Sequence, residues 1–190
     1  VSWVDDRERY QALARRFDPA VRLVVKEGWF WTALAWILCI VTFGGIRPRS
    51  FLRDYATTIG PIQAYPRAWA ALDTRLLVHE ARHVRQCRAC GAMIHPWVGL
   101  PIYFLLYILL PLPLGLAWFR YWFELDADRA SWRWWLTEGG AAAEQVRLRA
   151  QTFGGKVGGS SYGWPWPRGW VARGFSRAVE TTIEEVRRAA

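Results

Sequence analysis

Apolar and polar positions along the chain fall into blocks that change period several times. Asp5 to Arg16 repeats with helical spacing and predicts a polar helix, closed by Asp18-Pro19. The next block, Ala20 to Thr42, predicts a second helix that turns apolar. Its uncharged run, Trp29 to Phe43, is 15 residues long, short of the roughly 20 needed to span a bilayer. Gly44-Gly45 and Arg47-Pro48-Arg49 end it. The expectation is a buried core helix; insertion in a membrane or packing on a partner is the alternative.

Phe51 to Tyr65 changes texture. Thr57, Thr58, Ile59, Ile62 and Tyr65 favour strand, and Gly60-Pro61 interrupts them. Because proline confines a strand to an edge or a bulge, this stretch predicts an edge strand or short hairpin. Asp73 or Thr74 can then cap a helix that runs to about Cys87.

Trp97 to Phe119 is 23 residues without a charge, a transmembrane candidate by length alone. Pro111 and Pro113 break it, since proline inside a helix costs about 3 kcal/mol. Two helices joined there are expected, the second from about Leu116 to Trp135. Gly139-Gly140 ends that region. A short helix near Ala141–Thr152, a flexible GGKVGGSS, the aromatic patch YGWPWPRGW and a helix from about Ser176 to Ala189 complete the chain. The elements divide into an N-terminal helical region (1–50), a central core (51–138) and a C-terminal aromatic patch and helix (139–190), within one compact domain of α+β, mostly helical class.

Composition narrows the class. The chain has 190 residues, 53% hydrophobic and 22% charged, which excludes long-range disorder. Net charge is +9, and only Lys26 and Lys156 are lysines. That excludes acidic, calcium-buffering proteins and points to an anionic neighbour. Three cysteines are too few and too odd in number for a disulfide scaffold. The N-terminal VSWVDDRERY lacks the basic-then-apolar order of a signal peptide. A cytoplasmic, membrane-peripheral or virion location is expected.

The chemistry concentrates in His79-Glu80-Ala81-Arg82-His83. Residues i and i+4 share one helix face, so both imidazoles can reach one Zn²⁺ at about 2.0–2.1 Å. Glu80 stands beside them as a base for water, not as a ligand. With 3 His in the chain, chance produces this pattern about 0.2% of the time. A hydrolytic zinc site needs a third protein ligand and an open position. His95 is one candidate. Glu124 and Asp128, again at i and i+4, form another pair.

With Glu124-Leu125-Asp126-Ala127-Asp128 following the first motif, the chain resembles the gluzincin metallopeptidases, in which HExxH precedes a second helix carrying ExxAD. More loosely it resembles small predicted metallopeptidases of bacteria and their phages. The resemblance covers roughly residues 57–135. It implies a single zincin-like domain with Glu124 as third zinc ligand and Asp128 orienting a ligand histidine through its other ring nitrogen. It also implies an edge strand over the cleft. Unlike in the larger gluzincins, no substantial C-terminal domain is expected, which leaves the transition-state stabiliser unassigned; Tyr162, Tyr65 and the arginines are candidates by residue type.

If His83 and Glu124 share an ion, the 40 residues between them must return to the same side. A single membrane crossing between them is then excluded, and a buried helical hairpin is expected. Cys87-Arg88-Ala89-Cys90 with His95 offers three ligands where structural zinc needs four. These cysteines read as ordinary helix-end residues, and Cys39 as a buried one. Gly154-Gly155-Lys156-Val157 fails as a phosphate loop, because Val157 stands where Ser or Thr is required. Arg82, Arg85 and Arg88 either steer acidic substrate or form a solvated face. The tryptophans and arginines carry no nucleic-acid motif, so nucleic acid is not an expected partner.

The expectation is therefore a zinc-dependent endopeptidase acting on protein or peptide. Its alternative, from another class, is a structural component of a virion or membrane-associated assembly that keeps the metal site for stability.

Overall fold

The computed structural model describes residues 2–41, 44–92, 94–109, 118–157 and 168–190. They are mostly helical, with one small sheet, which is the α+β class expected. The chain forms two compact units, Val1–Phe104 and Leu105–Ala190.

The first unit holds α1 (Arg7–Phe17), β1 (Arg22–Val25), α2 (Trp29–Val41), α3 (Pro48–Asp54), β2 (Thr57–Ile59), β3 (Ile62–Tyr65), α4 (Thr74–Cys90) and α5 (Pro96–Phe104). The strands run in the order β1-β3-β2. β2 and β3 are the expected hairpin, turning at Gly60-Pro61 and pairing Thr58 with Gln63. Gly60 has φ of 56°, a left-handed conformation that glycine adopts without strain.

β1 corrects the sequence reading. Ala20–Thr42 is not one helix, because Arg22–Val25 pairs parallel to β3, Leu23 opposite Gln63. Its partner lies 40 positions away in register (Arg22 to Ile62), beyond the reach of local periodicity. Arg-Leu-Val-Val is also too short to show a period of its own.

Two apolar clusters hold the unit. Trp3, Leu23, Tyr65, Leu77 and Val84 join α1 and α4 to one side of the sheet. Trp31, Ala35, Phe51 and Ala64 join α2 and α3 to the other. α2 buries only this narrow stripe. Trp29, Phe30, Trp36, Ile37 and Ile40 stay exposed, so α2 is not the fully buried core helix expected. Cys39 is likewise only half-buried. α5 keeps Trp97, Val98, Ile102 and Phe104 exposed, which also departs from a buried hairpin.

α4 begins as predicted, with the Asp73 carboxylate accepting from the Arg75 amide at 2.9 Å. Its end packs on α5 through two glycines. A Cβ on Gly99 would lie 1.6 Å from the Cys87 carbonyl oxygen, and one on Gly91 would lie 2.5 Å from the Gly99 nitrogen.

The second unit holds a π-helical turn (Leu105–Leu109), α6 (Trp118–Thr137), α7 (Ala143–Val157) and α8 (Arg168–Ala189). Tyr121, Leu125 and Trp132 of α6 meet Val146 and Ala150 of α7 and Val171, Phe175, Val179 and Ile183 of α8. These positions recur at three- and four-residue spacing, as an amphipathic helix requires. Two boundaries differ from expectation. α7 runs through Gly154–Val157, which reads as flexible in the sequence, and α8 starts eight residues before Ser176. Gly154 is a contact point: a Cβ there would be 2.9 Å from the Phe175 Cβ. The expected turn at Pro111–Gly115 and the candidate Tyr162 lie outside the described residues.

Candidate metal centre

α4 carries the histidine motif on its buried face. His79, Glu80 and His83 are all buried, with Leu77 and Val84 beside them in the core. The one-turn spacing brings the two imidazoles together: His79 Nε2 and His83 Nε2 are 3.1 Å apart, with ring planes at 83°. Two nitrogens at this separation can each reach a common ion at about 2.0–2.1 Å, with an angle of about 100° at the ion, close to tetrahedral.

The ring of His83 is held from its other side. Nδ1 lies 2.8 Å from Gln86 Oε1 and 3.1 Å from the Tyr103 hydroxyl. An amide oxygen can only accept, so Nδ1 carries the proton and donates to it. That tautomer leaves the ring's lone pair on Nε2, the form a metal ligand needs. Neither Gln86 nor Tyr103 was among the predicted residues. Gln86 sits at i+3 from His83, a spacing visible in the sequence; Tyr103 arrives from α5 through tertiary packing alone.

Glu80 is fixed from the sheet. The Thr58 hydroxyl on β2 donates to Glu80 Oε2 at 2.6 Å. Gln63, opposite Thr58 in register, is fully buried; its Oε1 accepts from the Tyr65 hydroxyl at 3.0 Å, and among the described residues its Nε2 has no hydrogen-bond partner. The Glu80 charge reaches further. Burial pushes the Lys26 ammonium down to about 7, and the negative charge of Glu80 acts against that shift. Burial, then Glu80, pushes the Tyr65 hydroxyl up. Lys26 donates to the Phe51 and Tyr55 carbonyls at 2.8 and 3.0 Å and lies 3.7 Å from the Phe51 ring centre.

The ExxAD motif lies on α6, in the second unit. Glu124 and Asp128 are both buried, one turn apart. The Tyr107 hydroxyl donates to Glu124 Oε1. Tyr107 stacks on Phe123, with ring centres 6.3 Å apart, and the Arg120 guanidinium lies 5.0 Å from its ring centre. Among the described residues, His79, His83 and Glu124 are the side chains whose donor atoms can hold a metal ion, and all three are buried. Two imidazoles and a carboxylate form a mixed N/O donor set of the kind that holds divalent transition metals.

Other predicted residues have different duties. His95 is exposed, and its Nδ1 accepts from the Trp97 amide at 3.3 Å at the start of α5. It caps a helix and is not part of the donor group. Tyr65 is buried in the core against Trp3 and so is remote from solvent. Arg88 pairs with the buried Asp18 at 2.6 Å, and Arg85 donates to the Phe17 carbonyl. Both tie α4 to the end of α1, so neither forms a free steering face. Arg129, the residue after Asp128, pairs with Glu185 of α8 at 3.0 Å. Cys87 and Cys90 fall in the last turn of α4 as expected, the Cys87 thiol donating to the Pro96 carbonyl at 2.9 Å.

In comparisons with known proteins, no family, curated protein or solved structure matches the chain.

Proposed function

We propose that the chain is a zinc-dependent peptidase in which His79, His83 and Glu124 hold the ion and Glu80 is the general base. The observation that carries this reading is the 3.1 Å approach of two buried Nε2 atoms. Zinc held there supplies Lewis acidity toward a carbonyl and toward water. The chain's own groups do the rest. Gln86 keeps the His83 proton on Nδ1, and Tyr107 orients the Glu124 carboxylate. Glu80, steadied by Thr58, takes a proton from water as the water oxygen bonds to the scissile carbonyl carbon, then gives that proton to the amide nitrogen as the C–N bond breaks. Asp128, buried one turn beyond Glu124, is assigned the orienting of a ligand histidine through its other ring nitrogen.

The test is metal analysis of the purified chain paired with Glu80→Gln in hydrolysis of an unfolded protein. The expected result is one zinc per chain in both proteins and a loss of about 10²–10⁴-fold in hydrolysis for the variant, the usual worth of general-base help. Hydrolysis that survives Glu80→Gln unchanged overturns the mechanism. Zinc without any hydrolysis in the wild type favours a structural metal site in a larger assembly.

A further inference from the structure

The most conspicuous surface feature unused by this reading is the outer face of α2. The helix contains no charged residue. Trp29 is 82% exposed, Trp36 57% and Ile40 72%, and Phe30 and Ile37 are exposed with them. Positions 29, 33, 36, 37 and 40 follow helical spacing, so they form one continuous apolar stripe opposite Trp31 and Ala35. Isolated exposed apolar residues are ordinary, but a contiguous patch marks a docking surface.

Charge beside the stripe identifies what it meets. Arg47, Arg49 and Arg53 are exposed on and just before α3, which packs with α2 around Trp31 and Phe51. The nearby acids are engaged locally. Asp54 accepts from the Ser50 hydroxyl at 2.6 Å, and Glu27 accepts from Arg67 at 3.0 Å. The α2–α3 pair therefore exposes an apolar, aromatic stripe on one helix and arginines on and just before the other, within a chain of net charge +9. Tryptophans and isoleucines on one helix, with arginines on and just before the next, match the boundary between headgroups and acyl chains in an anionic bilayer. A protein partner rich in acidic groups would satisfy the arginines but not seat two exposed tryptophans beside three exposed aliphatic or aromatic side chains.

Length decides how the helix meets lipid. At 13 residues and about 1.5 Å per residue, α2 is about 20 Å long, against about 30 Å of hydrocarbon. No helix among the described residues is long and apolar enough to cross a membrane. We infer that α2 lies in the plane of an anionic lipid surface, with its Trp29–Trp36–Ile40 stripe buried in the interface and Arg47, Arg49 and Arg53 on the headgroups. This inference is independent of the metal reading.

The test is flotation of the full chain with phosphatidylcholine vesicles, with and without phosphatidylglycerol. The wild type should float with the anionic vesicles, and added salt should weaken the binding. Trp36→Ser with Ile40→Ser should lower the partition coefficient by about tenfold or more, since both side chains lose their apolar burial. Arg47→Glu with Arg49→Glu should lower it on anionic vesicles only, by about fivefold for each arginine. Leu148→Ser should change nothing, because Leu148, though 64% exposed, stands on α7 between arginines. Circular dichroism checks each variant's fold; if the serine pair unfolds, the arginine pair still decides. A wild type that stays unbound on both vesicles overturns the inference. So does binding that the serine and arginine variants keep in full. A concentration-dependent dimer broken by the serine pair, without vesicle binding, assigns the stripe to a second copy of the chain instead.

Discussion

The Thr58 hydroxyl and the Glu80 carboxylate are joined at 2.6 Å, so the edge of the sheet fixes the rotamer of the carboxylate that follows His79 on α4. A hydrogen bond to a charged acceptor is shorter and stronger than a neutral one. Thr58→Val keeps the branched shape and removes the donor. Zinc content should be unchanged. Under the proposed mechanism, kcat should fall about tenfold with KM little altered, because the bond steadies the base more than it binds substrate. Steady-state kinetics with a quenched peptide reads this split. A large loss of zinc in Thr58→Val would show that the strand shapes the metal site itself.

Gln86 makes a separable prediction. It contacts the far side of the His83 ring and not the facing nitrogens. Gln86→Leu should lower zinc affinity by about 10–100-fold, the usual effect of losing a ligand's outer partner. Competition with a chromophoric chelator measures it. Equal affinity in the two proteins would mean that Tyr103 alone holds the ring.

The α4–α5 contact predicts a steep stability effect. Gly99→Ala would force a Cβ to within 1.6 Å of the Cys87 carbonyl oxygen, and backbone cannot yield as a side chain can. A loss of about 3 kcal/mol or more is expected, or about 6–12 °C in Tm for a chain of this size. Gly155→Ala is the counterpart. Nothing lies within 4 Å of its Cβ position in α7, so it should gain about 0.4–1 kcal/mol. Thermal melts of both variants test the pair.

Lys26 predicts the pH dependence of stability. Its folded value of about 7 lies below the ordinary 10.5, so between these values the unfolded chain binds more protons than the folded one. Stability must therefore rise with pH above about 7, by up to about 1.4 kcal/mol per unit. Below that, both forms are charged and the penalty of burial is constant. The Cys87 thiol, pushed up to about 12 by burial, works in the opposite sense above 9.0, and the buried Tyr65 hydroxyl does so above 10.0. Urea titrations should show the rise between about pH 7 and 9, a levelling where Cys87 offsets Lys26, and a fall only above about pH 10, where Tyr65 adds to Cys87. In Lys26→Met the rise should vanish.

What the sequence discloses and what it hides divide along physical lines. The hairpin, the capped start of α4 and the pairs His79–His83 and Glu124–Asp128 rest on contacts between near neighbours, and periodicity with turn chemistry reveals them. β1 needs β3, forty positions on, before it has a reason to be a strand. Gly154 looks like a breaker until the Phe175 side chain fills the space a Cβ would take. The exposed stripe of α2 is hidden in the sequence for a related reason. An uncharged run reports greasiness on every side, and only the narrow stripe at Trp31 and Ala35 shows how little of it the sheet covers.

The outer side of β1 has a consequence for how the sheet can grow. Gln11 of α1 accepts from the Leu23 amide at 2.7 Å and donates to the Val21 carbonyl at 2.8 Å, and Arg7 donates to the Leu23 carbonyl at 2.6 Å. Side chains thus occupy the places a fourth strand would need on that margin. Among the described residues, no backbone group pairs with the outer margin of β2. Extension is therefore one-directional, and it is brief, because β2 is three residues long. An extended chain laid there could make only two or three ladder bonds, each worth about 0.5–1.5 kcal/mol net. Such a visitor is aligned by the margin but not retained by it, and its residence time is set by its side chains.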